Sequence, residues 1–552
     1  MAPVATRRGV LTAALLLLGG CAPAPSPAAT APPAAPTPEP VPTAHPPATA
    51  TATARAPTPT AAAPVSAAPR PATPTVPAIP PRATAGLDPR FGIAEGFRNP
   101  AVMAELRAGW DRVVLSWADI QPDGPDDFSW LGRTVPPLEL GAELRTGVTV
   151  AGLLQFTPLW ARERPEDEFR SPPRNLDLPY DHPDNYWGQF VYQTVKFYTG
   201  RIDEWIIWNE PEFRPTDPGA GGSYTWLGSD QQFARLMQVG YLAAKRANPG
   251  AVVSFPGTSY WVDEQSDPRR EQFYERYLRL VASDRDALAH GLYHDAVSLN
   301  LYRAPDDIVR VGRVFGDIQA RHGAQKPLWL LELNAMPTDD AAAPCAQRHA
   351  AAPLKTTMEQ QAAYAIQALA LAAAAGYQRV GFYKMVDGDA CEEPALWGIT
   401  RDDGRRRPVA DTLGLAIRSF SGYQDARFVP LERGSRGWSP WPSDPGSYVP
   451  NWQVYQVVLD MPGNRRVTVL WNGDGDPRRV RLARHGTSAH LVDRHGREQP
   501  LPAAGDWTVP LPGATAHAAD DPPRYFYIGG DPVLVVAEGV DPATPTTPPR
   551  LA

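Results

Sequence analysis

Two glutamates stand where apolar runs stop. Residues 206–213 read Ile-Ile-Trp-Asn-Glu-Pro-Glu-Phe, so a stretch that looks like a buried strand ends in an amide, a carboxylate and a proline that cannot continue a ladder. The second run, Leu328-Trp329-Leu330-Leu331, ends in Glu332, which lies 122 residues after Glu210. Two carboxylates brought to face one bond suit the cleavage of a glycosidic linkage. One protonates the leaving oxygen, and the other attacks the sugar carbon or activates a water. The two roles demand different proton affinities, and hence different surroundings. A lone glutamate at a strand end is ordinarily solvated or ion-paired, so the reading rests on the pair.

The elements that would carry such a pair recur regularly. Eight short apolar runs, Phe91–Ala94, Arg112–Trp117, Gly147–Leu154, Glu204–Asn209, Ala251–Phe255, Ala296–Leu301, Leu328–Glu332 and Arg379–Tyr383, alternate with helical stretches. They are nearly continuous rather than alternating in polarity, as parallel strands covered on both faces are. Helices are expected from Asp184 to Tyr198 with Asp184 as N-cap, from Asp230 to Ala247, and from the capping-box pattern Thr357-Met358-Glu359-Gln360 to Gly376. This predicts an α/β fold, a (β/α)8 TIM barrel over residues 86–423. A doubly wound open sheet is the competitor, disfavoured because no glycine-rich phosphate loop follows the first strand. Glu210 and Glu332 would then end strands four and seven, nearly opposite each other at the face where barrels place their chemistry.

Beyond residue 424 helical periods vanish and short alternating runs appear: 453–459, 466–471, 479–482, 489–492, 507–511, 525–528 and 533–536. They predict a C-terminal antiparallel β-sandwich over 424–540, packed on the barrel, with 541–552 as a disordered tail. The net charge of −7 without a basic cluster argues against nucleic acid as a partner.

Trp208-Asn209-Glu210-Pro211 after strand four, with a glutamate ending strand seven, resembles the retaining glycoside hydrolases of clan A, which are (β/α)8 barrels. The resemblance spans roughly residues 88–420. It implies Glu210 as acid/base, Glu332 as nucleophile, a carboxyl separation of about 5–5.5 Å and a covalent glycosyl-enzyme. It also implies that Asn209 meets the sugar 2-hydroxyl, and that Arg112 and Tyr302 support the nucleophile. Phe197-Tyr198-Thr199-Gly200-Arg201-Ile202 running into Trp205–Pro211, and the sandwich after the barrel, look like the β-xylosidase and iduronidase family and its relatives. The implied activity is cleavage of a plant-type or microbial polysaccharide or oligosaccharide by double displacement, with no cofactor. One departure stands out. Clan A barrels commonly place a tryptophan at the end of strand eight, where this chain has Phe382-Tyr383-Lys384-Met385. Lys384 would meet an anionic or hydroxyl-rich sugar or pair with Asp387, and Trp397 could supply the aromatic face. Trp117 and Trp160, with Trp226 and Trp261, are further candidates for stacking on sugar rings. Glu95 and Glu212 read as polar loop residues. His290 and His294, four apart but without a third ligand, read as structural rather than metal-binding.

The N-terminus reads as an address. Residues 1–21 hold Arg7-Arg8, an apolar run from Leu11 to Leu18 and then Gly19-Gly20-Cys21. That run is too short to cross a bilayer, which takes about 20 apolar residues. It resembles a bacterial lipoprotein signal with Cys21 as the lipidated residue, and the arginine pair resembles a twin-arginine signal. Residues 22–85, mostly Pro, Ala, Thr and Ser, cannot bury enough apolar surface to fold and read as a disordered linker. The chain would be exported and held to the outer face of the cell membrane by its lipid. In that compartment Cys345 and Cys391, in loops after strands seven and eight, would form a disulfide. Two rival functions remain: a glycan-binding lipoprotein on a barrel scaffold, and a transglycosidase.

Overall fold

The structure, a computed structural model, describes residues 82–83 and 86–552 apart from 131–134, 218–223, 267–269, residue 303, 343–355, 389–395, 433–451 and 516–526. The expected signal, its Cys21, nearly all of the linker, and Cys345 and Cys391 lie outside the described residues. Ala83, assigned to the linker, already donates its N–H to the Leu144 carbonyl of the barrel at 3.0 Å.

Eight parallel strands close on one another in sequence order: β1 (Phe91–Ile93), β2 (Trp110–Ser116), β3 (Thr149–Gln155), β4 (Glu204–Ile207), β5 (Val252–Thr258), β6 (Ala296–Leu301), β7 (Leu328–Leu333) and β8 (Arg379–Phe382), with β8 pairing β1. The helices around them are α1 (Pro100–Leu106), α2 (Trp117–Ile120), α3 (Pro137–Leu144), α4 (Tyr186–Tyr198), α5 (Asp230–Ala247), α6 (Tyr260–Ser266), α7 (Phe273–Val281), α8 (Arg285–Ala289), α9 (Asp306–Arg321), α10 (Met358–Ala374) and α11 (Pro408–Phe420). The continuous apolar runs are explained by burial on both faces. Trp110, Ala151, Leu153, Ile206, Ala296, Trp329 and Leu331 fill the lumen, and their neighbours along the strands pack under the helices. At the N-terminal end, buried Glu204 accepts the Trp110 indole N–H at 2.9 Å and pairs with Arg379 at 2.5 Å.

Helix caps follow the local chemistry. Ser229 with Gln232 and Thr357 with Gln360 form capping boxes. The cap of α4 is Asn185 and not Asp184. The Asn185 side chain reaches the Gly188 N–H, whereas Asp184 is exposed and gives its own N–H to His182.

The C-terminal region is an antiparallel sandwich. The larger sheet holds β9 (Asp425–Phe428), β10 (Leu431–Glu432), β11 (Trp452–Met461), β12 (Arg465–Asn472), β14 (Ser488–Asp493), β15 (Glu498–Pro500) and β17 (Val533–Glu538). The smaller sheet orders β16 (Trp507–Leu511), β13 (Arg478–Leu482) and β18 (Arg550–Leu551). Along β17, Val533, Val535 and Ala537 face the smaller sheet, while Leu534 and Val536 join the cluster that runs into the barrel. Between them lies α10, whose residues from Gln361 to Ala373 are all buried. An alanine-rich helix apolar all round is suited to lie between two layers.

One strand expectation and the expectation of a disordered tail are corrected. The run 525–528 forms no strand at Tyr527 and Ile528, its two described residues. The segment 541–552 is no loose tail. Arg550–Leu551 pairs with β13, and carbonyls of Thr544 and Thr547 accept from Arg466 and Gln456. Arg466 is 2% exposed and needs such acceptors, so backbone oxygens help to hold the tail.

Candidate active site

Both carboxylates reach the barrel mouth through departures from regular strand geometry. In β4, Ile206 faces the lumen and Ile207 faces the helices, so Trp208 should turn inward. Instead Trp208 adopts a left-handed backbone (φ 68°), and its indole packs outside against Trp187 and Trp226. Glu210 is left-handed too (φ 47°). Non-glycine residues hold such conformations only where their surroundings impose them. Here the Glu210 N–H is fixed by the Gly257 carbonyl at 2.8 Å, and the Thr225 hydroxyl reaches the carbonyls of Asn209 (2.5 Å) and Glu210 (3.2 Å). In β7 the register against β6 slips by one residue between the pairs Leu299–Leu330 and Asn300–Glu332. Such a slip re-aims a side chain, and Glu332 follows the inward-facing Leu331 into the mouth.

The two carboxyls then meet opposite surroundings. Glu332 is 3% exposed, with Oε1 paired to the Arg112 guanidinium and Oε2 accepting from the Tyr302 hydroxyl. Tyr302 is held well above the usual phenol range by burial and then by the charge of Glu332, so it stays a donor. Among the described residues no cation is paired with Glu210. Its Oε1 accepts from Asn300 Nδ2 at 2.9 Å, and the same amide reaches Asn209 Oδ1 at 3.2 Å. Burial, followed by the charge of Glu332, pushes Glu210 from 4.5 up to about 8, against the smaller opposing effects of Asn300 and Arg112. The site thus holds one carboxyl pushed toward its protonated form beside one held by a guanidinium and a phenol hydroxyl.

Around Glu332 lies an aromatic wall of Tyr302, Tyr383 and Trp397, with ring centres of Tyr302 and Trp397 4.8 Å apart. Asn334, fully buried two residues after Glu332, ties it together. Its amide donates to the carbonyls of Tyr383 (2.5 Å) and Trp397 (2.9 Å), and its oxygen accepts from Gln361 of α10 at 3.1 Å. Lys384 is 5% exposed and exchanges backbone hydrogen bonds with Trp397 and Ile399. Asp387, its expected partner, is taken by Arg407 (2.6 and 3.0 Å) and the Gly398 N–H. The charges of Lys384 and Arg98 instead favour ionised Glu95, which pairs with Arg98 at 2.6 Å.

The structure therefore brings Glu210, Glu332, Asn209, Arg112, Tyr302, Lys384 and Trp397 to one end of the barrel. It does not bring Trp117 or Trp160. Trp117 is fully buried, stacks on Phe190 and gives its indole N–H to Gln121. Trp160 edges onto Trp117 and Tyr186 and donates to the Gln121 carbonyl. Both belong to the helix side, because α2 begins at Trp117 and turns that ring away from the mouth. Trp226 and Trp261 are buried in the same outer core. His294 is structural: it bonds Tyr274 and the Leu292 carbonyl, and burial lowers its ring to about 4. Among the described residues no cluster of His, Cys, Asp or Glu could hold a metal ion. Sequence reading missed Asn300 and Asn334. The only signal was a single amide inside or just after an otherwise apolar strand. Glu212, read as a loop carboxylate, is in fact 1% exposed.

No family model matches the chain, and no curated protein matches it. Solved structures do. A family 39 glycoside hydrolase from Bacteroides cellulosilyticus WH2 is similar over 83% of this chain and 83% of its own, at 13% identity and a TM-score of 0.56. A family 30 endoxylanase from Clostridium papyrosolvens C71 is similar over 82% of this chain and 97% of its own, at 12% identity and a TM-score of 0.51. The chain shares its fold with these two proteins.

Proposed function

We propose that the protein is a retaining glycoside hydrolase, with Glu210 as acid/base and Glu332 as nucleophile. The observation that carries the reading is the opposite treatment of two carboxyls at one barrel mouth: buried Glu332 held by Arg112 and Tyr302, and partly buried Glu210 pushed up to about 8. In the first step Glu332 attacks the anomeric carbon while Glu210 gives its proton to the departing oxygen. In the second, Glu210 as base takes a proton from water, which displaces Glu332 from the sugar. Arg112 and Tyr302 hold the nucleophile in place, and Asn209, beside the acid, is the residue we assign to the sugar 2-hydroxyl. The likeness of fold to a family 39 hydrolase and an endoxylanase supports carbohydrate as the substrate.

The test uses aryl glycosides with wild type, Glu210→Ala and Glu332→Ala. Each variant should lose at least about a hundredfold in kcat/KM on substrates that need acid assistance. Azide should rescue Glu210→Ala to a glycosyl azide of retained configuration and Glu332→Ala to the inverted one. Equal residual signals in all three proteins would instead mean a glycan-binding barrel. Transfer to an added acceptor in preference to water would mark a transglycosidase. We further propose export and lipid anchoring at Cys21. Cys21→Ser should move the protein from the membrane fraction to the soluble one.

A further inference from the structure

Two residues past the acid, Glu212 is 1% exposed, yet among the described residues no cation reaches its carboxyl. Its Oε1 accepts a single hydrogen bond, 2.5 Å from the Ser259 N–H just before α6, and its Oε2 has no partner. Arg270 comes to the same loop but takes the Glu212 backbone carbonyl (2.6 Å), and its other nitrogens go to Asp263 (2.6 Å) and Asp217 (2.8 Å). Arg276 on α7 lies between Asp230 (2.8 Å) and Asp263 (3.1 Å). Among the described residues, the charges that bear most on the Glu212 carboxyl are those of Glu210 on its own loop and Asp263 on α6, the latter paired with both arginines.

A buried carboxylate with one N–H donor and two acidic neighbours has lost its hydration and gained repulsion, so the proton stays on. We propose that Glu212 remains a neutral carboxylic acid throughout the pH range in which Glu210 works, and that it is a positioning residue acting through Glu210. It anchors the acid's loop to Ser259 while keeping a second negative charge off the acid. The proposal rests on the reading of Glu210 as the acid. Burial, then the charges of Glu210 and Asp263, hold Glu212 well above the usual carboxyl range.

Three measurements on the full chain decide it. Difference infrared spectra at pH 7, wild type against Glu212→Gln, should show the loss of a protonated-carboxyl band. Loss of a carboxylate band would overturn the proposal, whatever the protein hydrolyses. In pH profiles of kcat/KM on aryl glycosides, Glu212→Gln should leave the alkaline limb in place, since one neutral group replaces another. A limb moved down by about one pH unit, a tenfold change in proton affinity, would show that an ionised Glu212 had been raising Glu210. Glu212→Leu, which cannot accept from Ser259, should lower kcat about tenfold with little change in KM, and unchanged kcat would remove the positioning role. Absence of any turnover by wild type would sink the reading of Glu210 and the positioning role with it. The infrared result would still report where the proton lies.

Discussion

Glu210 holds its proton because burial and Glu332 outweigh one amide. Asn300 is that amide, and its hydrogen bond favours the ionised form. Asn300→Ala should therefore move the alkaline limb of kcat/KM upward from its wild-type position, and a downward move would contradict the assignment. The raised proton affinity also bears on stability. Folded Glu210 keeps a proton that the unfolded chain releases above 4.5, so stability falls as pH rises from about 4.5 to 8 and stays reduced beyond. Glu210→Gln removes that slope. It should be more stable than wild type at pH 8 by on the order of 2–4 kcal/mol and gain far less at pH 5, as denaturant melts at the two pH values would show. Much of this chemistry was legible in advance, because a glutamate closing an apolar run is conspicuous. Asn300 was not, since one amide within Ser298-Leu299-Asn300-Leu301 looks like any polar interruption. The sequence also shows that Trp117 and Trp160 stand near strand ends, but not which face they take, and α2 turns Trp117 outward.

At the scale of elements, the carboxyls are aimed by irregularities: left-handed residues after β4 and a register slip between β6 and β7. Gly257 belongs to the same apparatus. Its carbonyl fixes Glu210, and a Cβ at this position would come within 2.5 Å of Asn300 Oδ1. Gly257→Ala should displace Asn300 and lower kcat at least about tenfold, as small misplacements near a reacting bond do. The melting temperature should move less than for a core truncation, and a fall in stability alone would relegate Gly257 to packing. Strand order was readable because parallel strands covered on both faces are continuous in polarity. The short strands β9, β10, β15 and β18 were not, because two to four residues rich in charge or proline carry no period.

At the scale of the molecule, barrel and sandwich share one continuous core through α10. Truncation after residue 423 would bare the apolar outer side of that helix. The truncated chain should be recovered mainly as insoluble protein, and Leu534→Ala in the full chain should cost about 2–5 kcal/mol in denaturant unfolding. Full solubility and native near-ultraviolet dichroism of the truncated barrel would refute this coupling.

The same helix has a consequence for ancestry. Gln367 of α10 bonds the carbonyls of Gly529 and Gly530 in the sandwich, while Gln361, under two turns away, holds Asn334 beneath Tyr383 and Trp397. An appended module that touches only a linker can be exchanged by recombination without disturbing its neighbour. This one cannot, since replacing it would change the seat of the helix that braces the wall of the pocket. Barrel and sandwich therefore act as a single structural unit, and a change in the sandwich seat of α10 should reach the pocket wall through Gln361 and Asn334.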